Sequence, residues 1–211
     1  MLLTMEQLEY LNGTDLPQTA INWPDYYWPE STVVFSIGQE FSPHEVDVIR
    51  DAMLEIETVS CIRFRQTANI SEPQVAIRRI GAEGCYSALG FQHKVQLLNL
   101  DTNCTEKGVF QHELLHALGF VHMQCDPRRD DYVTIKEENI IPEKKCNFKK
   151  FDARDVTDFG VPYDYSSIMH YGLKAFSKNN QPTIVPKLNT AKIGLTQLST
   201  LDILKLNIAY C

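Results

Sequence analysis

Residues His112 to His122 read His-Glu-Leu-Leu-His-Ala-Leu-Gly-Phe-Val-His: three imidazoles, a carboxylate beside the first, and a glycine between the second and third. His112 and His116 are four apart, so on a helix they project from one face, about 6 Å from each other. That separation suits two imidazoles closing on one tetrahedral zinc at about 2.0–2.1 Å per bond. Glu113 lies about 100° round the same helix from His112, where it can touch water at the metal. Six further residues of helix would carry His122 to the far side. Gly119 resolves this, because a glycine at C′ takes the left-handed conformation cheaply and turns the chain back. Three protein ligands leave a fourth position open, which is the pattern of a catalytic zinc and not of a structural one. A coincidental match is a weak alternative. Five fixed positions of these residue types recur by chance in such a chain at a frequency on the order of 10⁻⁵.

The elements that must hold these groups are legible in outline. Ser31 to Ile37 is β-branched and reads as a strand. Ser42-Pro43-His44-Glu45 announces a helix, with Ser42 as N-cap, Pro43 in the first turn and Glu45 completing a capping box. Val46, Ile49, Met53 and Ile56 continue it at three/four spacing to about Val59. Ile62–Arg65, Val75–Ile77 and Val95–Leu100 read as strands. The motif helix should run from Gly108 to Phe120. After Met123 the pattern weakens into turns until Ser199-Thr200-Leu201-Asp202 opens a last helix. Strands and helices before the motif and irregular chain after it imply an α+β fold in two lobes, with the zinc in a cleft between them.

The composition narrows the function class. The chain has 211 residues, 44% hydrophobic and 22% charged, enough for one substantial core. A net charge of -7 argues against a nucleic-acid partner. Nothing apolar approaches the about 18 residues of a membrane span, and no compact oxygen cluster suggests calcium. Met1 to Glu6 lacks the basic start and apolar core of a signal peptide. The six cysteines (Cys61, Cys85, Cys104, Cys125, Cys146, Cys211) include no CxxC pair, so disulfides and a secreted setting are expected. Sequons at Asn12, Asn69 and Asn103 agree with that route and make a glycoprotein the expectation.

With these residues in view, the chain resembles the astacin family of secreted zinc endopeptidases, within the metzincins. The resemblance runs from Trp28 to Cys211. It is carried by His112–His122 and by Tyr163-Asp164-Tyr165-Ser166-Ser167-Ile168-Met169-His170-Tyr171, which looks like the family's Met-turn. Trp28-Pro29, Cys61-Ile62-Arg63-Phe64, Gly84-Cys85-Tyr86-Ser87, Asp130–Ile135 and the Leu198–Cys211 ending are weaker echoes. The resemblance implies a twisted, mostly parallel sheet with two long helices in the first lobe, and an irregular second lobe with a final helix. It implies Zn2+ on His112, His116 and His122, with Glu113 as general base toward a zinc-bound water. Met169 would form an apolar floor. Tyr171 would reach the zinc at rest and swing to hydrogen-bond the oxyanion. It further implies the pairs Cys61–Cys211 and Cys85–Cys104. That leaves Cys125 and Cys146, outside the family's common set, to each other as an expected third bond.

Three departures accompany the resemblance. The family usually has Glu after the third histidine, contacting the buried N-terminus of the mature enzyme; here Met123 stands there, so the N-terminus is either held differently or not buried. Residues 1–19 precede the expected start of the mature chain near Ala20. They read as a propeptide remnant or N-terminal extension, with Asp15 a candidate inhibitory zinc ligand that would make the chain a zymogen. The chain ends at Cys211, as a catalytic domain alone or a fragment cut there. The expected function is hydrolysis of internal bonds in a protein or peptide substrate by a secreted monomer, with the substrate added as a strand near Cys85–Leu89. The rival class is a secreted binding protein that keeps the fold without turnover. It is disfavoured because Glu113, the three histidines and Tyr171 are all present.

Overall fold

Three β-branched residues open β1 (Thr32–Ile37), and its buried positions, Val33 and Phe35, are two apart as the pleat requires. This is a computed structural model that describes residues 20, 24–81 and 84–211; Asn12, Asp15 and the expected 1–19 segment lie outside the described residues. The described residues form two compact units. One holds 24–120 with Leu206–Cys211, and the other holds Ala20 with Val121–Lys205.

In the first unit, α1 (Pro43–Val59) begins with the expected capping box. The Ser42 hydroxyl accepts from the Glu45 N–H, and the Glu45 carboxylate accepts from the Ser42 N–H at 2.8 Å. Both are donors that the first turn would otherwise leave unsatisfied. Ile49, Ala52, Met53 and Ile56 form its buried stripe. α1 carries the chain from β1 to β2 (Arg63–Gln66), which pairs parallel with β1 and so needs such a crossover. β3 (Gln74–Arg78), β4 (Tyr86–Ser87) and β5 (Val95–Asn99) complete a sheet of order β2-β1-β3-β5-β4. All its pairings are parallel except that of β4, an edge strand running antiparallel to β5. α2 (Lys107–Ala117) packs on α1, and Lys107 Nζ lies 2.5 Å from Glu55.

The second unit is mostly turns and short 3-10 segments. Its one sheet among the described residues is an antiparallel pair, β6 (Val133–Ile135) with β7 (Ile184–Pro186), which the sequence pattern did not announce. α3 (Thr200–Tyr210) opens as expected: the Ser199 hydroxyl accepts from the Asp202 N–H at 2.9 Å, and the Asp202 carboxylate accepts from the Ser199 N–H at 3.0 Å. The fold is α+β, as the pattern implied, with the mostly parallel sheet that the resemblance implied. Among the described residues no helix is long and apolar enough to cross a membrane.

Cys61–Cys211 and Cys85–Cys104 are bonded, with Cα separations of 5.4 and 6.2 Å, both inside the range a disulfide spans. The first joins the end of α1 to the end of α3 and closes 150 residues. That constraint on the unfolded chain is worth about 5 kcal/mol in the loop-entropy account. The expected third bond is absent. Cys125 and Cys146 are free thiols, the first buried and the second exposed. The 3-10 segment Met123–Cys125 turns Cys125 inward, where its thiol donates to the Asn147 carbonyl at 3.4 Å. The 3-10 segment Pro142–Phe148 presents Cys146 to solvent. Burial pushes the Cys125 thiol up to about 12, so it behaves as a small apolar side chain.

Candidate metal centre

His112, Glu113 and His116 sit on α2, whose end is built to hold the second histidine still. The helix stops at Ala117, three residues before the expected Phe120, with Leu118 as cap and Gly119 at φ 93°. Gly119 N–H donates to the His116 carbonyl and Phe120 N–H to the Leu115 carbonyl, each at 2.9 Å. Those two bonds form a Schellman closure, and a left-handed residue at this point is what glycine supplies without strain. Carbonyls of this last turn also have partners from distant chain. Trp28 Nε1 donates to Ala117 O at 2.8 Å, Tyr210 Oη to Leu118 O at 2.9 Å, and Gly90 N–H to His116 O at 2.9 Å. Trp28 and Tyr210, which carried two of the weaker resemblances, thus act on the end of the helix that bears the site.

The same turn orients the imidazole. His116 Nδ1 lies 2.7 Å from Phe120 O. A carbonyl can only accept, so Nδ1 carries the proton and Nε2 presents a lone pair. That Nε2 is 3.1 Å from Nε2 of His112. One ligand atom from each of His112, His116 and His122 lies within 4.8 Å of the others. Nitrogens around a tetrahedral zinc stand about 3.3 Å apart, so this donor set fits that ion with little adjustment. Burial and the neighbouring His112 hold His116 well below its ordinary pKa, neutral as a ligand must be.

Glu113 is 2% exposed, and its Oε2 has no hydrogen-bond partner among the described residues. Burial raises its carboxyl to about 8. A buried carboxyl oxygen without a partner, one residue along the helix from His112, is a second sign that a polar or charged group belongs near it.

Sequence comparison then places the chain. A family model described as Astacin, a peptidase family, matches residues 20–211. The chain belongs to the astacin family. Zinc metalloproteinase nas-14 of Caenorhabditis elegans is 38% identical over 192 residues, covering 90% of this chain and 38% of that relative. Low choriolytic enzyme of Oryzias latipes is 39% identical over 196 residues, covering 87% of this chain and 68% of its own length. Among solved structures, high choriolytic enzyme 1, a hatching enzyme zinc-protease of the medaka Oryzias latipes, superposes with a TM-score of 0.83. It is 36% identical and covers 92% of this chain and 98% of that one. The chain spans about a third to a half of the length of three curated relatives, at 38%, 32% and 48%. Zinc is the metal that the astacin family and this donor set have in common.

The other expected site residues lie in the second unit with His122, which is 8% exposed. The Tyr171 ring packs on that of His122, with centroids 4.4 Å apart and planes at 53°. Phe148 and Phe176 flank Tyr171, with centroids at 5.7 and 5.5 Å. Met169 is 2% exposed, and its carbonyl accepts from the Met123 N–H at 3.0 Å, directly after His122. The turn itself hangs on α3: Asp202 accepts from the Ser167 hydroxyl at 2.6 Å and from the Ile168 N–H at 2.9 Å. The Met123 sulfur accepts from the buried Lys205 Nζ at 3.4 Å.

Sequence reasoning missed several of these supports. Gln124 is fully buried, and its Oε1 accepts from the Tyr171 N–H at 3.2 Å. Its place two residues after His122 was the available signal. Phe148 and Phe176 gave none, because nothing local marks an aromatic that packs on a distant ring.

Proposed function

We propose that this chain is a secreted zinc endopeptidase that hydrolyses internal peptide bonds, with Glu113 and Tyr171 as its catalytic residues and His112, His116 and His122 as metal ligands. The observation that carries the reading is the convergence of three histidine donor atoms within 4.8 Å, with the buried carboxyl oxygen of Glu113, the residue after His112, left unpartnered. Zinc, when bound, supplies a Lewis acid that polarises the scissile carbonyl and lowers the pKa of water. Glu113 Oε2 takes the proton from the attacking water and delivers it to the leaving amine nitrogen as the C–O bond forms and the C–N bond breaks. The Tyr171 hydroxyl donates to the oxyanion as its charge develops. The edge position of β4 supports binding of an extended substrate by main-chain pairing, which grips varied sequences.

The family match over 20–211 supports reading 1–19 as an N-terminal extension to a catalytic domain. Asp15 in that extension is the proposed inhibitory ligand, which makes the chain a zymogen. Two disulfides support an extracellular setting, and the exposed Asn69 is the sequon proposed to carry a glycan; Asn103 is disfavoured by the bonded Cys104 beside it. The substrate is a protein or peptide, and the enzyme acts as a monomer.

Glu113→Gln tests the central assignment. It keeps the ligand set, so the protein should still bind one zinc, while turnover falls by at least about 10²-fold through loss of the base. Near-normal turnover by the zinc-loaded variant removes Glu113 from the mechanism.

A further inference from the structure

The stretch 144–150 carries four lysines and no acid, in a chain of net charge -7. The 3-10 segment Pro142–Phe148 folds part of it around a cavity of about 360 Å³ in the second unit. Arg129, Lys145, Lys149 and Lys150 line that cavity, against the single carboxylate of Glu137. Four cations against Glu137 and the adjoining Asp130, which pairs with Arg129 and Lys150, leave a local excess of positive charge.

We propose that this cavity binds the sulfate groups of a sulfated oligosaccharide, which presupposes the extracellular setting argued above but not the peptidase reaction. Arg129 gives the cavity a fixed cation. It is 9% exposed, and its Nη1 donates to the Gln124 carbonyl at 2.7 Å and to the Phe148 carbonyl. Its Nε donates to Asp130 at 3.2 Å, while Nη2 has no hydrogen-bond partner among the described residues. A guanidinium held this way is pre-organised for an oxyanion. Lys145 and Lys150 pair with Glu137 at 3.4 Å and Asp130 at 2.5 Å, and both lysine side chains are about half exposed. Exposed pairs of this kind are worth at most about 1 kcal/mol, so a ligand of high charge density can replace them. Lys149 is exposed and has no carboxylate within reach among the described residues.

A polyanion therefore gains more here than a lone phosphate, since several cations exchange partners together and release counterions. A sulfated sugar fits better than a nucleic acid. Single-stranded nucleic acid needs exposed aromatic faces for its bases, and Phe148, the aromatic in the cavity wall, is 3% exposed and packed on Tyr171 and Phe176.

The test is calorimetry of the whole chain with a heparin-derived tetrasaccharide at about 50 and about 200 mM salt, beside its desulfated counterpart. The proposal expects affinity for the sulfated form to fall about 10-fold across that salt range and the desulfated form not to bind. Lys145→Glu/Lys149→Glu/Lys150→Glu should weaken binding at least about 10-fold while cleavage of a short peptide is unchanged. Cys146 supplies a probe that needs no variant, because its exposed thiol lies in the same wall. Saturating tetrasaccharide should slow its alkylation by iodoacetamide several-fold. Equal affinity in the triple variant, unslowed alkylation of Cys146, or tighter binding to a single-stranded oligonucleotide or an acidic peptide overturns the proposal. Because peptide cleavage is read separately, loss of the glycan site and loss of the peptidase reading give different results.

Discussion

His116 is fixed at both ends of its ring. Phe120 O accepts from the Nδ1 N–H, which leaves the Nε2 lone pair facing Nε2 of His112 at 3.1 Å. A metal ligand is tuned as much by the group behind it as by the ion before it. Tyr171 has a comparable setting: its ring lies against His122 between Phe148 and Phe176, and its N–H donates to the buried Gln124. These contacts hold the ring, and the hydroxyl is the group proposed to donate to the oxyanion. Tyr171→Phe keeps the ring packing and removes only the donor. It should lower kcat by about 10- to 10³-fold with a much smaller change in KM, as for one oxyanion donor. Steady-state kinetics with a peptide substrate decide this, and an unchanged kcat would leave Tyr171 a packing residue.

At the scale of elements, the end of α2 is the critical joint. Gly119 at φ 93° makes the Schellman closure that delivers Phe120 O to His116, and its added Cβ would meet only the Gly90 Cα at 3.9 Å. Gly119→Ala therefore costs backbone strain and no collision, about 1–2 kcal/mol for a left-handed residue with a side chain. The account expects a lower melting temperature and faster loss of zinc to a chelator, since relaxing the turn moves the carbonyl that orients the ligand. A variant that melts lower but holds zinc as tightly as the parent would separate the turn from the site. This joint was legible in the sequence because its signals are local: a four-residue histidine spacing, then a glycine where a helix must end. Ser42 and Glu45 were legible for the same reason, three residues apart at a helix start. β6 and β7 were not, because Val133–Ile135 and Ile184–Pro186 are short and far apart in sequence. β4, two residues long, carries no period at all. Pairings of that kind are set by the rest of the fold.

For the molecule as a whole, cysteine counting captured the covalent frame incompletely. An even number invites three bonds, yet burial of Cys125 and exposure of Cys146 leave two bonds and two thiols. Alkylation of the native protein should label Cys146 at once and Cys125 only on unfolding, where burial no longer protects its thiol. Failure of both to react would mean they are bonded after all. The supports of the site come from far along the chain: Trp28 and Tyr210 on the end of α2, Asp202 of α3 on the turn that carries Met169. Each holds a stretch of backbone next to a proposed metal ligand or catalytic ring. The most direct test is therefore cleavage of an unfolded protein such as casein, by the 211-residue chain and by a chain beginning at Ala20, with zinc, with a chelator, and with zinc restored. The account predicts internal cleavage by the shorter chain that stops on chelation and returns with one equivalent of zinc. Intact casein in the presence of a folded, zinc-loaded chain beginning at Ala20 would contradict it.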